Sequence, residues 1–154
     1  MTNRYQKYEP PFHDRNRAGE RICVMCGSAL KGRQRRWCSN KECVRKMFFL
    51  SGDTGEIRRF TFERDKGMCE RCHCDTELMR KIIQNLLHDE KIFYLKGIGF
   101  GKVHPARYEL WDADHIVPLS KGGKHEPENI RTLCIACHKD ATRELAKTRR
   151  KNHV

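Results

Sequence analysis

Between residues 75 and 90 (DTELMRKIIQNLLHDE), apolar side chains fall at 78, 79, 82, 83, 86 and 87, the spacing of a helix with one buried face. A second helix is predicted upstream. Asp53 stands at an N-cap position with Glu56 three residues on, and the run passes through Ile57, Phe60 and Arg64 to a natural left-handed stop at Gly67. Residues 108–117 (YELWDADHIV) read as a strand and 129–133 (NIRTL) as another, with the long turn PLSKGGKHEPE between them. From Ile135 to about Lys151 the chain is compatible with a helix. Residues 91–107 (KIFYLKGIGFGKVHPAR) read as an irregular, hairpin-like insert, and 47–56 as a joint. The polar segment 1–20, with Pro10-Pro11, reads as a flexible basic arm.

Composition changes this picture in one respect. Of 154 residues, 38% are hydrophobic and 34% charged, so a large apolar core is not expected and something else must hold the fold. Nine cysteines supply it. Eight form short pairs: Cys23/Cys26, Cys38/Cys43, Cys69/Cys72 and Cys134/Cys137. Disulfides are the competing explanation. Three of the pairs are C-x-x-C knuckles and no secretory signal precedes them, so we expect thiols on metal inside the cell, in cytoplasm or nucleoid, or in the nucleus of a eukaryote. No apolar stretch reaches the roughly 20 residues a membrane span needs.

Cys69, Cys72, Cys134 and Cys137 make two knuckles that can complete one tetrahedral zinc site. With no open position, such a site is structural, and its binding free energy stabilises the fold directly. Cys23, Cys26, Cys38 and Cys43 are a second candidate, at the spacing of a treble-clef-like finger or zinc ribbon over residues 21–46. Cys74, His13, His73, His88, His104 and His125 read as residues without a role.

Asp114-His115, Asn129 and Cys137-His138 collect a carboxylate, two imidazoles and a carboxamide close to a sulfur site. Phosphodiester hydrolysis needs an activated water and relief of phosphoryl charge. His115 can take the proton from water, since a neutral imidazole titrates near the working pH. Asp114 and His138 can hold one divalent ion, and Asn129 can hold the long turn or orient His115. Neighbouring strand residues point to opposite faces, so Asp114 and His115 serve one site only if the strand twists or ends there.

The segment DADHIVPLSKGGKHEPENIRTLCIACHKDAT (112–142) resembles the motif of the HNH, or ββα-metal, endonucleases. The likeness continues through DKGMCERC (65–72) and WCSNKEC (37–43), and is closest to the HNH domains of RAN-binding-type zinc-finger annealing helicases. It implies an α+β, zinc-stapled fold: an HNH domain over 54–151 behind an N-terminal four-cysteine zinc module. It implies DNA cleavage with Mg²⁺ or Mn²⁺, His115 as general base, Asp114 and His138 on that ion, Asn129 in the middle position, and Cys69, Cys72, Cys134 and Cys137 on structural zinc.

A net charge of +12 suits a polyanionic partner. Lys139, Arg143 and Lys147 share a helical spacing, and with Arg131 and the loop residues Arg33, Arg35 and Arg36 they are the expected phosphate contacts, giving weak sequence preference. One active site per chain yields nicks unless two chains pair as a homodimer. The competing function is a non-catalytic, zinc-dependent nucleic-acid-binding module, which has no need of His115, Asn129 and His138 together.

Overall fold

Asp53 caps as its position predicts: its Oδ1 accepts the Glu56 backbone N–H at 2.9 Å. The structure, a computed structural model, describes residues 10–101, 104 and 109–151, the last three without their side chains. The described chain contains α1 (Lys41–Leu50), α2 (Thr54–Asp65), α3 (Thr76–Gln84), α4 (His88–Gly97), β1 (Trp111–His115), β2 (Ile130–Cys134) and α5 (Ile135–Lys151), with β1 and β2 paired in a two-stranded sheet. Residues divide into two units. One holds the described chain up to Ile57 together with His115–Asn129; the other holds Arg58–Asp114 and the chain from Ile130 onward. None of the described helices is long and apolar enough to cross a membrane.

In the first unit, Cys23, Val24, Met25 and Cys43 form the buried centre, with Leu30, Met47 and Leu50 packed on it. Residues 47–50, expected to belong to a joint, instead finish α1, whose start is set by Asn40: its Oδ1 accepts the Glu42 N–H at 2.8 Å. A helix is needed there because Cys43 must face inward from its first turn. Part of the expected arm is also held. The Phe12 N–H donates to the Val24 carbonyl at 3.1 Å, and Ile22 N–H to the Asp14 carbonyl at 3.0 Å. Residues 1–9 lie outside the described chain.

In the second unit the core is Cys69, Ile83, Leu95, Phe100, Leu110, Leu133, Cys134 and Ile135. The predicted helix over 75–90 is broken in two. Asp75 caps α3 through the Glu77 and Leu78 N–H groups at 3.0 and 2.9 Å. The chain turns at Asn85, and the Leu87 N–H donates to Glu90 Oε2 at 2.8 Å, starting α4. His88-Asp89-Glu90, read as a helix end, is therefore a helix beginning, where acidic side chains favour the positive end of the dipole. Residues 91–97 are accordingly helical rather than an irregular insert, and α4 buries Leu95 at 2% exposure. Of the rest of that insert, residues 102, 103 and 105–107 lie outside the described chain.

α2 ends at Asp65, just before the expected stop: Lys66 (φ +53°) and Gly67 (φ +78°) are both left-handed, and a Cβ on Gly67 would sit 2.8 Å from Thr76 Oγ1. The buried hydroxyls of Thr76 and Thr132 are both answered: Thr76 Oγ1 donates to the Gly67 carbonyl at 2.6 Å and Thr132 Oγ1 to Asp65 Oδ2 at 2.8 Å. Arg64 grips Asp65 at 2.6 Å and the Ile130 carbonyl at 2.7 Å, which latches the end of α2 to β2. Arg64 and Thr132 hold the Asp65 carboxyl below its ordinary range.

Both sulfur quartets have a shape that fits zinc. Within each, four Sγ atoms lie within 4.8 Å of one another. Cys26 and Cys38 sulfurs are 3.9 Å apart and those of Cys72 and Cys134 3.7 Å, close to the ~3.8 Å edge of a tetrahedron with ~2.3 Å Zn–S bonds. Side-chain and backbone hydrogen bonds from Ser28 bring the Cys26 thiol down to about 6. Metal analysis should find two zinc ions per chain. Cys134→Ser should leave one and abolish the cooperative thermal melt of the second unit; retention of both ions and an unchanged melt would refute a structural role for this quartet.

Candidate functional site

Strand alternation decides which groups meet His138. Asp112 and Asp114 stand two apart on β1 and so present their carboxylates to one face. His138, one turn into α5, lies between them: Nδ1 is 3.1 Å from Asp112 Oδ2 and Nε2 is 3.7 Å from Asp114 Oδ1. The two carboxylates bracket the imidazole ring. Two donors ~2.1 Å from an octahedral ion sit ~3.0 Å apart, so a shift of under ~1 Å would let Asp114 and His138 share one cation. Among the described residues, the only groups of three or more metal-type donors already converged are the two cysteine quartets.

Asp112 is the residue sequence reasoning passed over; the D-x-D alternation on a predicted strand was the available signal. Two arginines answer the pair. Arg131 reaches Asp114 Oδ2 with Nη2 at 2.9 Å and Nε at 3.0 Å. Arg58 Nη1 reaches Asp112 Oδ1 at 3.2 Å, and its guanidinium lies 4.4 Å over the Trp111 ring. Arg131, expected to contact phosphate, is thus engaged by Asp114 in this arrangement: its side chain is only 25% exposed. The cation next to β1 on β2 finds the nearest half-buried carboxylate.

The first unit holds the other expected residues. Asn129 clamps the long turn. Its Oδ1 accepts the Val117 N–H at 2.8 Å, and its Nδ2 donates to the Val117 and Lys124 carbonyls at 3.1 and 2.9 Å. Its backbone carbonyl accepts the Ile116 N–H at 2.9 Å. Gly123 makes this possible, since a Cβ there would lie 1.9 Å from the Val117 oxygen. His115 ends β1, and its Nε2 is 3.1 Å from His125 Nδ1. His125 therefore has a partner, contrary to the expectation of a bare surface residue. Nothing in local sequence marks it, because the turn folds it back across ten positions. Burial holds His125 below the ordinary imidazole range, and its ring fills the space over Gly52, where a Cβ would lie 2.6 Å from Nε2.

Of the expected phosphate contacts on α5, Lys139 is half-buried, Arg143 is exposed but bound to Asp140 and to the Lys139 carbonyl, and Lys147 is exposed. Arg33, Arg35 and Arg36 are exposed on the loop between the first quartet's ligands. Cys74 lies outside both quartets; its side chain packs against the second core, and its carbonyl accepts the Cys69 N–H at 3.0 Å.

Residues 100–144 match the family model of the HNH endonucleases. The mouse protein named DNA annealing helicase and endonuclease ZRANB3 is 28% identical over 126 residues, covering 74% of this chain and 12% of its own length. Its human counterpart is 26% identical over 125 residues, covering 74% of this chain and 11% of its own. The chain thus spans only about an eighth of these relatives. The crystal structure of the human ZRANB3 HNH domain superposes with a TM-score of 0.54 at 24% identity, over 66% of this chain and 97% of that one. The fold is accordingly a small α+β fold of the HNH type.

Two outcomes follow from the turn. Asn129→Ala strips three hydrogen bonds and should cost about 1–3 kcal/mol in chemical denaturation; no measurable loss would show that the turn holds without it. The folded chain disfavours protonated His125, so the unfolded chain binds the extra proton below the ordinary value of 6.5. Stability is then complete above that pH and is lost as pH falls from there towards the depressed folded value. The wild-type melting temperature should drop more than that of His125→Gln over this window, and parallel curves would count against it.

Proposed function

We propose that the chain is a metal-dependent DNA endonuclease with low sequence preference. The observation carrying this reading is the carboxylate face of β1 meeting His138 directly after a sulfur ligand, in a segment that matches HNH endonucleases. Asp114 and His138 would hold one Mg²⁺ or Mn²⁺, which supplies charge relief at the phosphoryl oxygens. His115, next to Asp114 in the chain, takes the proton from the attacking water. Its hydrogen-bond partner His125 fixes the ring and, being disfavoured as a cation, leaves a nitrogen able to accept. Asn129 is a positioning residue, acting through the turn it clamps. Asp112 turns His138 through Nδ1, the orienting role that carboxylates commonly play for a ligand imidazole. Lys139, Arg143 and Lys147 supply backbone contacts, with affinity that falls with salt.

One observation favours a second reading, a silent zinc-dependent nucleic-acid-binding module. Arg131 already neutralises Asp114, and a guanidinium beside a carboxylate opposes a cation at the same oxygen.

Plasmid nicking with Mg²⁺ or Mn²⁺ separates the two. The nuclease reading expects nicking by wild type and a loss of about 10²–10⁴-fold in His115→Ala, the usual worth of a general base, with DNA binding unchanged. Equal nicking by both proteins would remove His115 from this role. Binding without nicking by wild type, on plasmid, flap and junction substrates alike, would establish the silent module.

A further inference from the structure

The first unit carries a second concentration of charge that the cleavage chemistry does not use. Loop 31–37 (KGRQRRW) leads into Cys38, and Arg33, Arg35, Arg36 and Trp37 line an open groove with Gln34, Ser39 and Val44. None of the three arginines is ion-paired with a described carboxylate. The loop is nevertheless held in shape. The Val24 N–H donates to the Arg36 carbonyl at 2.8 Å, the Lys31 N–H to Gln34 Oε1 at 2.9 Å, and Gln34 Nε2 to Ser39 Oγ at 2.8 Å. Trp37 is anchored on its other side by the sulfur ligand that follows it.

The two tryptophans of the chain differ sharply. Trp111 is 2% exposed, stacked on Phe62 at 5.9 Å. Trp37 is 38% exposed, although a buried indole would stabilise a module so poor in apolar residues. A partly exposed indole beside three guanidiniums that have no ion pair among the described residues offers a π-face for a base and cations for the flanking phosphates.

We infer that this groove binds an unpaired stretch of DNA, with a base stacked on Trp37 and phosphates on Arg33, Arg35 and Arg36. A single strand is favoured over duplex because duplex bases are already stacked on one another and would leave the indole unused. The inference shares the DNA partner of the proposed function and does not depend on cleavage.

The test is tryptophan fluorescence of the zinc-loaded full chain, titrated without Mg²⁺ or Mn²⁺ with oligo-dT of about 12 nucleotides, inside the usual site size, and with duplex of equal length. Oligo-dT should quench the emission. Because it lacks the reporting indole, Trp37→Ala is followed by fluorescence anisotropy of dye-labelled DNA, as is Trp37→Phe; it should bind oligo-dT about 5- to 150-fold more weakly, the range for losing one stacked base, with duplex affinity unchanged. Trp37→Phe keeps a ring and should stay within about 3-fold of wild type. Replacing all three arginines by Ala should flatten the log–log salt dependence for oligo-dT by ~2, at ~0.7 per phosphate. An unquenched indole, equal weakening on both DNAs, or the same loss in Trp37→Phe as in Trp37→Ala would overturn the inference. Because no divalent cation is added, absence of nicking elsewhere leaves this result intact, and the reverse also holds.

Discussion

The second unit is organised around four converged sulfurs, two of them in its apolar core. Cys69 and Cys134 are 0% and 1% exposed, so they serve as core residues and as half of the quartet at once. The knuckle is tied to β2 by the Glu70 N–H, which donates to the Thr132 carbonyl at 2.9 Å. Cys134 closes β2 and Cys137 lies in the first turn of α5, so whatever binds the sulfurs fixes the angle between strand and helix. His138 is the next residue. It stands opposite the β1 carboxylates because the start of α5 is held by the quartet, by the packing of Ile135 in the core and by the Ile135 N–H, which donates to the Leu110 carbonyl at 3.0 Å. Zinc on the quartet would add a tetrahedral constraint to the small core that the unit already has.

Around that frame, electrostatics is balanced in pairs. Asp112 and Asp114 would repel each other on one strand face; Arg58, Arg131 and His138 surround them and make the pair tolerable. All of these side chains are partly exposed, so the gain per pair is modest and exchangeable. For the proposed chemistry, a cation at Asp114 has to displace the two contacts that Arg131 makes with it, and the partial exposure of the pair lowers that cost. The first unit distributes its charge differently. Its loop arginines form no ion pair with a described carboxylate and are exposed, which leaves their charge available to an outside anion.

Much of this was legible in the residues themselves. C-x-x-C spacing announces the quartets because thiolates at i and i+3 can share an ion whatever surrounds them. The helix starts at Asp53 and Asp75 and the stop at Gly67 follow from local hydrogen bonding and allowed φ, which need no tertiary context. The order Asp114, His115, Asn129, His138 carries the HNH resemblance for the same reason: it is a property of the chain. Other features were not local. The apolar stripe from 78 to 87 is continuous in sequence, yet only packing shows that it breaks at Asn85, leaving Leu87 75% exposed. His125 meets His115 only because Asn129 and Gly123 fold the turn back on itself. Asp112 gains its place from strand alternation together with the helix that the sulfurs hold opposite it, and Arg131 is drawn to Asp114 by proximity that no spacing rule contains. Sequence alone therefore determined which donors and caps exist, because those are chemical properties of residues and their near neighbours. Tertiary structure decided which of them face one another, because that depends on distances set by the rest of the fold.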